Sequence, residues 1–281
     1  MMFTTRFAPS PTGPLHLGHA YSACLASDMA DAAGGTFLLR IEDIDTSRAR
    51  PEWEAQIYDD LRWLGLDWPE PVMRQSERGS AYAEALERLD NIGLTYPCAC
   101  RRADIEAAAG APQEGVPRFG PDGRIYPGTC RHRPMSGRTD ADVIRLNMAL
   151  VADRLPDLAF DETGPAHAGS HGVSASDLVT TIGDPILQRR GMGGSYHLSV
   201  VVDDAAQGIT HVIRGEDLFE ATPLHVVLQY LLDLPVPTYH HHRLIRDEAG
   251  KRLAKRDDAR AIATYRAEGL SPSDIRAKIG L

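Results

Sequence analysis

The stretch of sequence that decides the fold is RFAPSPTGPLHLGH, residues 6–19. A short strand is predicted over residues 3–8, and a loop rich in Pro and Gly follows it. A helix is then predicted over residues 16–33, where a Gly pair ends it. The next segment, Thr36–Ile41, is a continuous apolar strand of the kind that parallel sheets bury on both faces. Strand, loop, helix and strand make a βαβ unit, which indicates a nucleotide-binding α/β fold.

Two histidines begin the predicted helix. His16 and His19 are three positions apart and therefore share one face of the helix. Their ring N–H groups would add to the positive end of the helix dipole, so this position suits phosphate oxygens. Gly18 between them leaves room for a base or ribose. The sequence has no P-loop motif, so ATP would have to be held in another way. The alternative is an amphipathic helix with two surface histidines.

The composition is that of an ordinary soluble protein. The chain has 281 residues, of which 43% are hydrophobic and 25% charged, and its net charge is −9. A negative chain has no sequence-independent attraction for nucleic acid, so an RNA partner would need a local basic patch. No apolar run of the signal-peptide kind begins the chain, and the most apolar stretch, residues 224–234, is too short to span a bilayer. We therefore expect a cytoplasmic protein without a membrane partner.

Beyond the first unit the α/β pattern continues with one interruption. The predicted elements are helices over 52–64, 81–92 and 223–232, regular structure of unassigned type over 143–147, strands over 199–203 and 212–214, and two short helices after Lys255. Residues 110–128 are dense in Gly and Pro, which predicts a long loop. We predict a catalytic domain in two halves, 1–96 and 177–238, with an insertion over 97–176 and a final segment over 239–281.

Residues 6–19 resemble the His-Ile-Gly-His signature of class I aminoacyl-tRNA synthetases, and the whole stretch is similar to the glutamyl branch of that family. The second class I signature, a lysine-rich loop, is matched by KRLAKR, residues 251–256. Glutamyl enzymes usually have Lys-Leu-Ser-Lys-Arg there, so Arg252 and Ala254 depart from the pattern. The resemblance implies a Rossmann-like class I catalytic domain with an inserted zinc-containing subdomain, and it makes Lys255 the catalytic lysine.

The reaction that this resemblance implies is the attack of a glutamate carboxylate on the α-phosphorus of ATP, with Mg²⁺ accompanying the ATP. Little proton transfer is needed, so catalysis consists of positioning and of cationic stabilisation. We expect His16, His19 and Lys255 to be catalytic. The expected ATP-binding residues are His16, Gly18, His19 and Lys255.

The resemblance also assigns a glutamate pocket, on the stretches LRIEDID (39–45), SYHLSVVVDD (195–204) and VIRGEDL (212–218). The expected L-glutamate-binding residues are Arg6, Phe7, Ala8, Pro9, Ser10, Glu42, Tyr196 and Arg214. Glu42 would hold the substrate ammonium. Two substrate carboxylates call for two guanidinium partners, which Arg6 and Arg214 supply, and which arginine takes which carboxylate stays open. The alternative for Glu42 and Arg214 is a place in structural ion pairs.

A metal site is indicated by Cys98, Cys100 and Cys130, which lie on either side of the Gly- and Pro-rich loop. Histidine is the commoner fourth ligand, and His132 would supply it. The short relatives in the family have Tyr-x-x-x-Cys, so the resemblance implies a structural zinc held by the three cysteines and Tyr126. The alternative is three free buried thiols. Histidines 240–242 cannot all ligate one ion on a strand, because neighbouring side chains point to opposite faces.

The expected acceptor follows from the same resemblance. Only 25 residues follow Arg256, whereas full-length glutamyl enzymes continue with domains that read the anticodon, and they usually carry Asn where His197 stands here. Short relatives activate glutamate without tRNA and transfer it to the queuosine base in the anticodon loop of tRNA(Asp). We expect this activity, in a monomer. The alternatives are a minimal enzyme that charges the 3′ end of tRNA(Glu) and a catalytically inactive tRNA-binding module.

Overall fold

The computed structural model describes residues 2–108, 119–120, 123–246 and 260–281. The strands are β1 (Thr4–Phe7), β2 (Thr36–Ile41), β3 (Met73–Arg74), β4 (Thr95–Cys98), β5 (Phe119–Gly120), β6 (Gly123–Arg124), β7 (Val143–Leu146), β8 (Leu158–Glu162), β9 (Gly169–Val173), β10 (Ile186–Gln188), β11 (His211–Gly215) and β12 (Thr238–His242). The helices are α1 (Leu17–Ala32), α2 (Pro51–Trp63), α3 (Gly79–Asn91), α4 (Arg102–Ala108), α5 (Met148–Ala152), α6 (Ala175–Asp177), α7 (Tyr196–Ala206), α8 (Thr222–Leu231), α9 (Ile262–Ala267) and α10 (Pro272–Ile279). None of the helices in these ranges combines the length and the apolar character that a bilayer crossing requires.

A parallel sheet carries the first part of the chain. β1 pairs with β2 and β2 pairs with β3, in both cases parallel. The predicted βαβ unit is therefore confirmed, with α1 as its crossover. Phe37, Leu39 and Ile41 alternate along β2 and are buried in one core with the alanines of α1.

The second part of the sheet joins the first at β11. The backbone N–H of Thr210 donates to the carbonyl oxygen of Thr4 at 2.9 Å, and β11 lies beside β1. β11 pairs in parallel with β12, and β12 with β8. The chain thus leaves β1 towards β2 on one side and leaves β11 towards β12 on the other. The carboxyl ends of β1 and β11 form a topological switch point, which is where open α/β sheets bind ligands.

Two strands of the predicted insertion belong to this larger sheet. β8 pairs with β12, and β9 pairs antiparallel with β8. A separate antiparallel sheet has the order β10-β7-β4. It takes in β10, which lies beyond residue 177. The division at residues 97 and 177 stays a prediction, and the pairing of β8 favours an earlier end for the insertion.

The prediction of a strand over residues 199–203 is wrong. This segment lies in α7, which Ser195 caps by accepting from the backbone N–H of Leu198. The consecutive valines 200–202 favour a strand by intrinsic propensity. However, α7 packs against α3 and α8 and buries Leu198 and Val201 in the core. Tertiary packing therefore outweighs the weak helix propensity of the valines.

The end of the chain returns to the start of α1. Ala261 forms an isolated antiparallel bridge with His16. α10 lies beside α1, where Arg276 makes a bidentate ion pair with Asp28 at 2.8 and 2.9 Å. The two predicted C-terminal helices are confirmed as α9 and α10. The lysine-rich segment 251–256 lies outside the described residues.

One buried carboxylate of α2 has no partner. Asp60 is 1% exposed, and neither of its carboxylate oxygens finds a hydrogen-bond donor within the ranges described above. Burial, and then the charge of Asp59, raise the pKa of Asp60 from its usual 3.8 to about 6. The folded state binds this proton more tightly than the unfolded state, so protonation of Asp60 stabilises the fold. This stabilisation is fully present below the unfolded pKa. It is lost as the pH rises through about 6.

We expect Asp60→Asn to stabilise the protein near pH 8 and not near pH 4. A pKa that rises from 3.8 to about 6 on folding corresponds to a cost of up to about 3 kcal/mol once the carboxylate is ionised. The substitution removes that cost and leaves the volume unchanged. The measurement is the free energy of urea unfolding at both pH values, with the exposed Asp31→Asn of α1 as the control. An equal gain at both pH values would contradict the expectation.

Candidate active site

A cavity of about 550 Å³ opens at the carboxyl ends of β1, β11 and β12. Its walls bring together most of the predicted site residues, namely Arg6, Phe7, Ala8, His16, Gly18, His19, Glu42, Tyr196 and Arg214. Pro9 and Ser10 are not among the lining residues, although the carbonyl oxygen of Pro9 accepts from the backbone N–H of Glu42 at 3.0 Å. Lys255 lies outside the part of the chain that the structure describes.

His16 and His19 cap the first turn of α1. Nδ1 of His16 accepts from the N–H of Gly18 at 3.1 Å, and Nδ1 of His19 accepts from the N–H of His16 at 3.1 Å. A neutral imidazole that accepts at Nδ1 carries its proton on Nε2, so both rings are donors at Nε2. A Cβ on residue 18 would lie 3.0 Å from Cε1 of His16, so a side chain there would crowd the His16 ring. Two N–H donors at a helix N-terminus suit an anion such as phosphate.

The carboxylate of Asp204 holds two buried arginines beside the cavity. Arg6 donates from Nε to Oδ1 at 2.9 Å and from Nη2 to Oδ2 at 3.3 Å. Arg40 donates from Nη1 to the same Oδ1 at 2.6 Å. Burial would raise the pKa of Asp204, but Arg6 and Arg40 outweigh it and hold the pKa below its usual value. Arg6 therefore already has a carboxylate of the protein as an ion-pair partner, which it shares with Arg40.

Glu42 is an acid available to a cationic ligand. It lines the cavity, and it accepts from Nη2 of Arg40 at 3.1 Å. The ion pair of the alternative interpretation is thus present at Glu42. Burial raises the pKa of Glu42, although Arg40 and Arg6 act in the opposite direction. A ligand ammonium beside Glu42 would favour the ionised carboxylate and lower this pKa again.

Arg214 is a buried cation whose partners in the described structure are all uncharged. It donates from Nε to His241 at 2.9 Å and from Nη1 to His225 at 3.0 Å. From Nη2 it donates to the hydroxyl of Thr222 at 2.8 Å and to the carbonyl oxygen of Leu218 at 3.2 Å. Burial, and then Arg214 itself, lower the pKa of His241 to about 4 and that of His225 well below its usual value. Within those ranges no carboxylate pairs with Arg214, so its charge can be balanced by an anion in the cavity.

A second group of side chains lies in the antiparallel sheet region. The sulfurs of Cys98, Cys100 and Cys130 lie within 4.8 Å of one another and could hold a metal ion. Oη of Tyr126 is 3.3 Å from Sγ of Cys98 and 3.4 Å from Sγ of Cys100. Around a tetrahedral zinc, sulfurs stand about 3.8 Å apart, and a sulfur and an oxygen about 3.5 Å apart. The three sulfurs could therefore hold one metal ion, with the phenol oxygen of Tyr126 beside two of them.

His132 does not belong to this group. Its side chain is exposed, and the cluster of possible ligands does not include it. Burial raises the pKa of Tyr126 above its usual 10, so the phenol would need a nearby cation to lose its proton. The guanidinium carbon of Arg145 lies 3.9 Å from the centre of the Tyr126 ring and contributes one positive charge there.

The sheet and the site together define a class of protein. A parallel sheet with a cavity at its switch point, and with two histidines in the first turn of the helix that follows β1, is typical of the catalytic domain of a class I synthetase. The sequence matches the family described as tRNA synthetases class I (E and Q), catalytic domain, over residues 2–141 and 171–281. The chain therefore belongs to this family and is an enzyme of the ligase class.

The chain is similar to proteins named glutamyl-Q tRNA(Asp) synthetase. It is 64% identical to one from Rhodobacter capsulatus over 99% of either chain. It is 42% identical to one from Symbiobacterium thermophilum over 98% of this chain and 84% of that protein. The glutamate-tRNA synthetase from Elizabethkingia anophelis, a solved structure, has a TM-score of 0.76 at 27% identity; 99% of this chain spans 61% of that protein. The predicted membership of the glutamyl branch is confirmed.

Some residues of the site could not be recognised from the sequence. Asp204 lies within the stretch 195–204. Its only mark in the sequence is a pair of adjacent acids after three valines, which does not indicate contacts with Arg6 and Arg40. His242 also lines the cavity and contacts the hydroxyl of Ser22 at 2.6 Å. His225 and His241 carry no local motif, because their part in the site depends on their contacts with Arg214.

We expect Asp204→Asn to lower the free energy of unfolding by roughly 3 kcal/mol or more, because it leaves two buried guanidiniums without their shared carboxylate. The measurement is urea unfolding at neutral pH. Glu106→Gln is the control, because it removes an exposed ion pair with Arg102, which should contribute less than about 1 kcal/mol. Equal losses for the two variants would show that the Asp204 cluster does not stabilise the fold.

Proposed function

We propose that this enzyme activates L-glutamate with ATP and transfers it to the queuosine base in the anticodon loop of tRNA(Asp). The observation that carries the proposal is the 64% identity, over 99% of either chain, to a protein named glutamyl-Q tRNA(Asp) synthetase. The cavity supports glutamate as the substrate, because it presents a carboxylate on Glu42 and guanidiniums on Arg6 and Arg214, and among the described residues no carboxylate pairs with Arg214. A small zwitterion with an extra carboxylate complements these charges.

The residues of the cavity divide the recognition of glutamate. Arg214 would bind a substrate carboxylate, and Glu42 would bind the ammonium. Arg6 still has Nη1, which donates to no acceptor within the described ranges, so it can contribute a further hydrogen bond. Tyr196 stands at the first turn of α7 and lines the same cavity. Phe7 and Ala8 line the same cavity, whereas Pro9 and Ser10 follow them in the chain and remain predicted from the resemblance alone.

ATP would lie over the start of α1. Nε2 donors of His16 and His19 would meet phosphate oxygens, and Gly18 would leave the backbone accessible. Ala261, which bridges to His16, and Ile245, which lines the cavity, flank the segment that contains Lys255. We assign Lys255 to the stabilisation of charge on the departing pyrophosphate, with Mg²⁺ accompanying the ATP. Attack by the glutamate carboxylate then needs alignment and cationic stabilisation and no general base.

Two alternative functions differ from this one in the RNA that accepts glutamate, or in transferring no glutamate. A minimal glutamyl-tRNA synthetase would place glutamate on the 3′ end of tRNA(Glu). An inactive tRNA-binding module would form no adenylate. The intact set of Arg6, His16, His19, Glu42 and Arg214 around one cavity favours an active enzyme. Because ATP and tRNA are cytoplasmic substrates, we place the reaction in the cytoplasm, and we expect the enzyme to act as a monomer.

We expect glutamate-dependent exchange of pyrophosphate into ATP without any tRNA, and transfer of labelled glutamate to tRNA only when that tRNA carries queuosine. The measurements are the exchange assay and labelling of total tRNA from cells with and without queuosine. Cleavage of the tRNA then shows whether the label is in the anticodon loop or at the 3′ end. Label at the 3′ end of tRNA(Glu) would support the minimal synthetase, and absence of exchange would support the inactive module.

We further propose that Cys98, Cys100, Cys130 and Tyr126 hold one structural zinc. The apolar core around them is small. Apart from the predicted ligands it contains only two buried side chains among the described residues, Tyr96 and Val143, and the partly buried Ile105 and Ile186 pack against it. A metal that ties these side chains together would supply folding free energy that this core lacks.

We expect Tyr126→Phe to lower the content of bound zinc and His132→Ala to leave it near one ion per chain. The reason is that the Tyr126 oxygen contacts the sulfurs, whereas His132 is exposed. Zinc is measured in the purified variants after dialysis against a weak chelator. Full zinc in Tyr126→Phe together with loss in His132→Ala would make histidine the fourth ligand. If only a cysteine replacement changes the zinc content, a water or another side chain completes the site.

A further inference from the structure

The hydrogen bonds around Arg214 have a fixed direction. A guanidinium is a donor only, so Nε2 of His241 must accept from Nε of Arg214 and carry no proton. The proton of a neutral His241 therefore sits on Nδ1, which contacts the carboxylate of Glu162. The chain of hydrogen bonds runs from Arg214 through the ring of His241 to Glu162.

Glu162 is held as a buried carboxylate at the far end of this chain. Its side chain is fully buried, and Oε1 accepts from the backbone N–H of His241 at 2.9 Å and of Gly164 at 2.5 Å. Burial would raise the pKa of Glu162, but the hydrogen bonds from His241 and Gly164 outweigh it and lower the pKa. The counter-charge nearest to Arg214 on this side is therefore separated from it by one imidazole ring.

A second series of hydrogen bonds begins at Arg214, on the other side of its guanidinium. Nδ1 of His225 accepts from Nη1 of Arg214, so its proton sits on Nε2, which lies 3.0 Å from Nδ1 of His197. In both series of hydrogen bonds the atom that accepts from the guanidinium belongs to a neutral imidazole ring. These hydrogen bonds fix the orientation of the guanidinium without neutralising its charge, in contrast to the direct Asp204 contact of Arg6.

We propose that His241 is a positioning residue for the glutamate site, and that Glu162 fixes the tautomer in which His241 can accept from Arg214. His241 and Glu162 do not line the cavity and act through Arg214. This inference rests on the proposed activation of glutamate. The side-chain carboxylate of glutamate does not react and is charged in both the ground state and the transition state. An Arg214 that binds this carboxylate and loses its orientation therefore weakens glutamate binding more than it slows the chemical step.

The test compares two replacements of His241 with a matched control. His241→Asn keeps an N–H near Glu162 and removes the acceptor for Arg214, whereas His241→Gln places an amide oxygen near the former Nε2. His240→Asn is the control, because His240 neighbours His241 on β12, lies outside the cavity lining and contacts the hydroxyl of Thr163 at 2.9 Å. KM for glutamate, KM for ATP and kcat are measured by pyrophosphate exchange, and folding is checked by thermal unfolding.

We expect His241→Asn to raise KM for glutamate by roughly tenfold to a hundredfold, the effect of losing one hydrogen bond to a charged group. KM for ATP should stay unchanged, and kcat should change by much less. His241→Gln should recover most of the affinity, and His240→Asn should behave as the unmodified enzyme. An equal loss in Asn and Gln variants, or a fall in kcat at constant KM for glutamate, would overturn the inference.

Glu162→Gln tests the same chain if His241→Asn does not fold. The new amide can donate to Nδ1 of His241 and so permit the tautomer with a proton on Nε2, which cannot accept from Arg214. We expect a higher KM for glutamate here too, and an unchanged KM would overturn the role of Glu162. Absence of exchange in the unmodified enzyme would count against the proposed function, whereas normal exchange with unaffected variants would count against this inference alone.

Discussion

The carboxylate of Asp204 is the contact on which the rest of the site depends. It joins Arg6 of β1 and Arg40 of β2 to α7, so three elements that are distant in sequence meet at one buried charge. Burying such ions is costly, and the cost is offset only when the hydrogen bonds are well formed. The neighbouring Asp203 is also buried and accepts from Tyr82, Gln75 and Arg78. Two successive acids thus fix α7 on two sides and place Tyr196 at the cavity.

The two arginines of the cavity differ in what balances their charge. Arg6 shares the Asp204 carboxylate with Arg40, which also pairs with Glu42, so two carboxylates of the protein face these two guanidiniums. Arg214 has neutral acceptors at each of its nitrogens, and a buried guanidinium in that setting gains from an anion. The same residue type therefore serves mainly to join elements in one position and to attract a carboxylate in the other. Sequence alone presents both simply as arginines at strand ends.

The sequence predicted those features that depend on local pattern. The βαβ unit follows from an apolar strand and a glycine-terminated helix, and the pair His16 and His19 follows from helical spacing. The valines of α7 were misassigned because their preference for strands is local, whereas their burial between helices is tertiary. The roles of Asp204 and His241 could not be predicted for a related reason, since their partners lie 198 and 27 residues away along the chain. The cysteines are recognisable as a group from their spacing, and the family resemblance, not the spacing, adds Tyr126 to them.

The cysteine group and the glutamate site are linked through the order of the chain. β4 ends at Cys98 and pairs with β7, β7 pairs with β10, and the chain passes from β10 into α7. Asp184, just before β10, accepts from Tyr96 and Arg131 and so fastens this sheet from within. The helix α7, which carries Asp204 and Tyr196, follows this sheet in the chain. Tyr96 and Val143 of the sheet pack with the predicted zinc ligands, whereas Ile144, Leu146 and Leu187 pack in the larger core. A metal at the cysteines would therefore stabilise one side of the sheet that leads into α7, although the cysteines do not line the cavity.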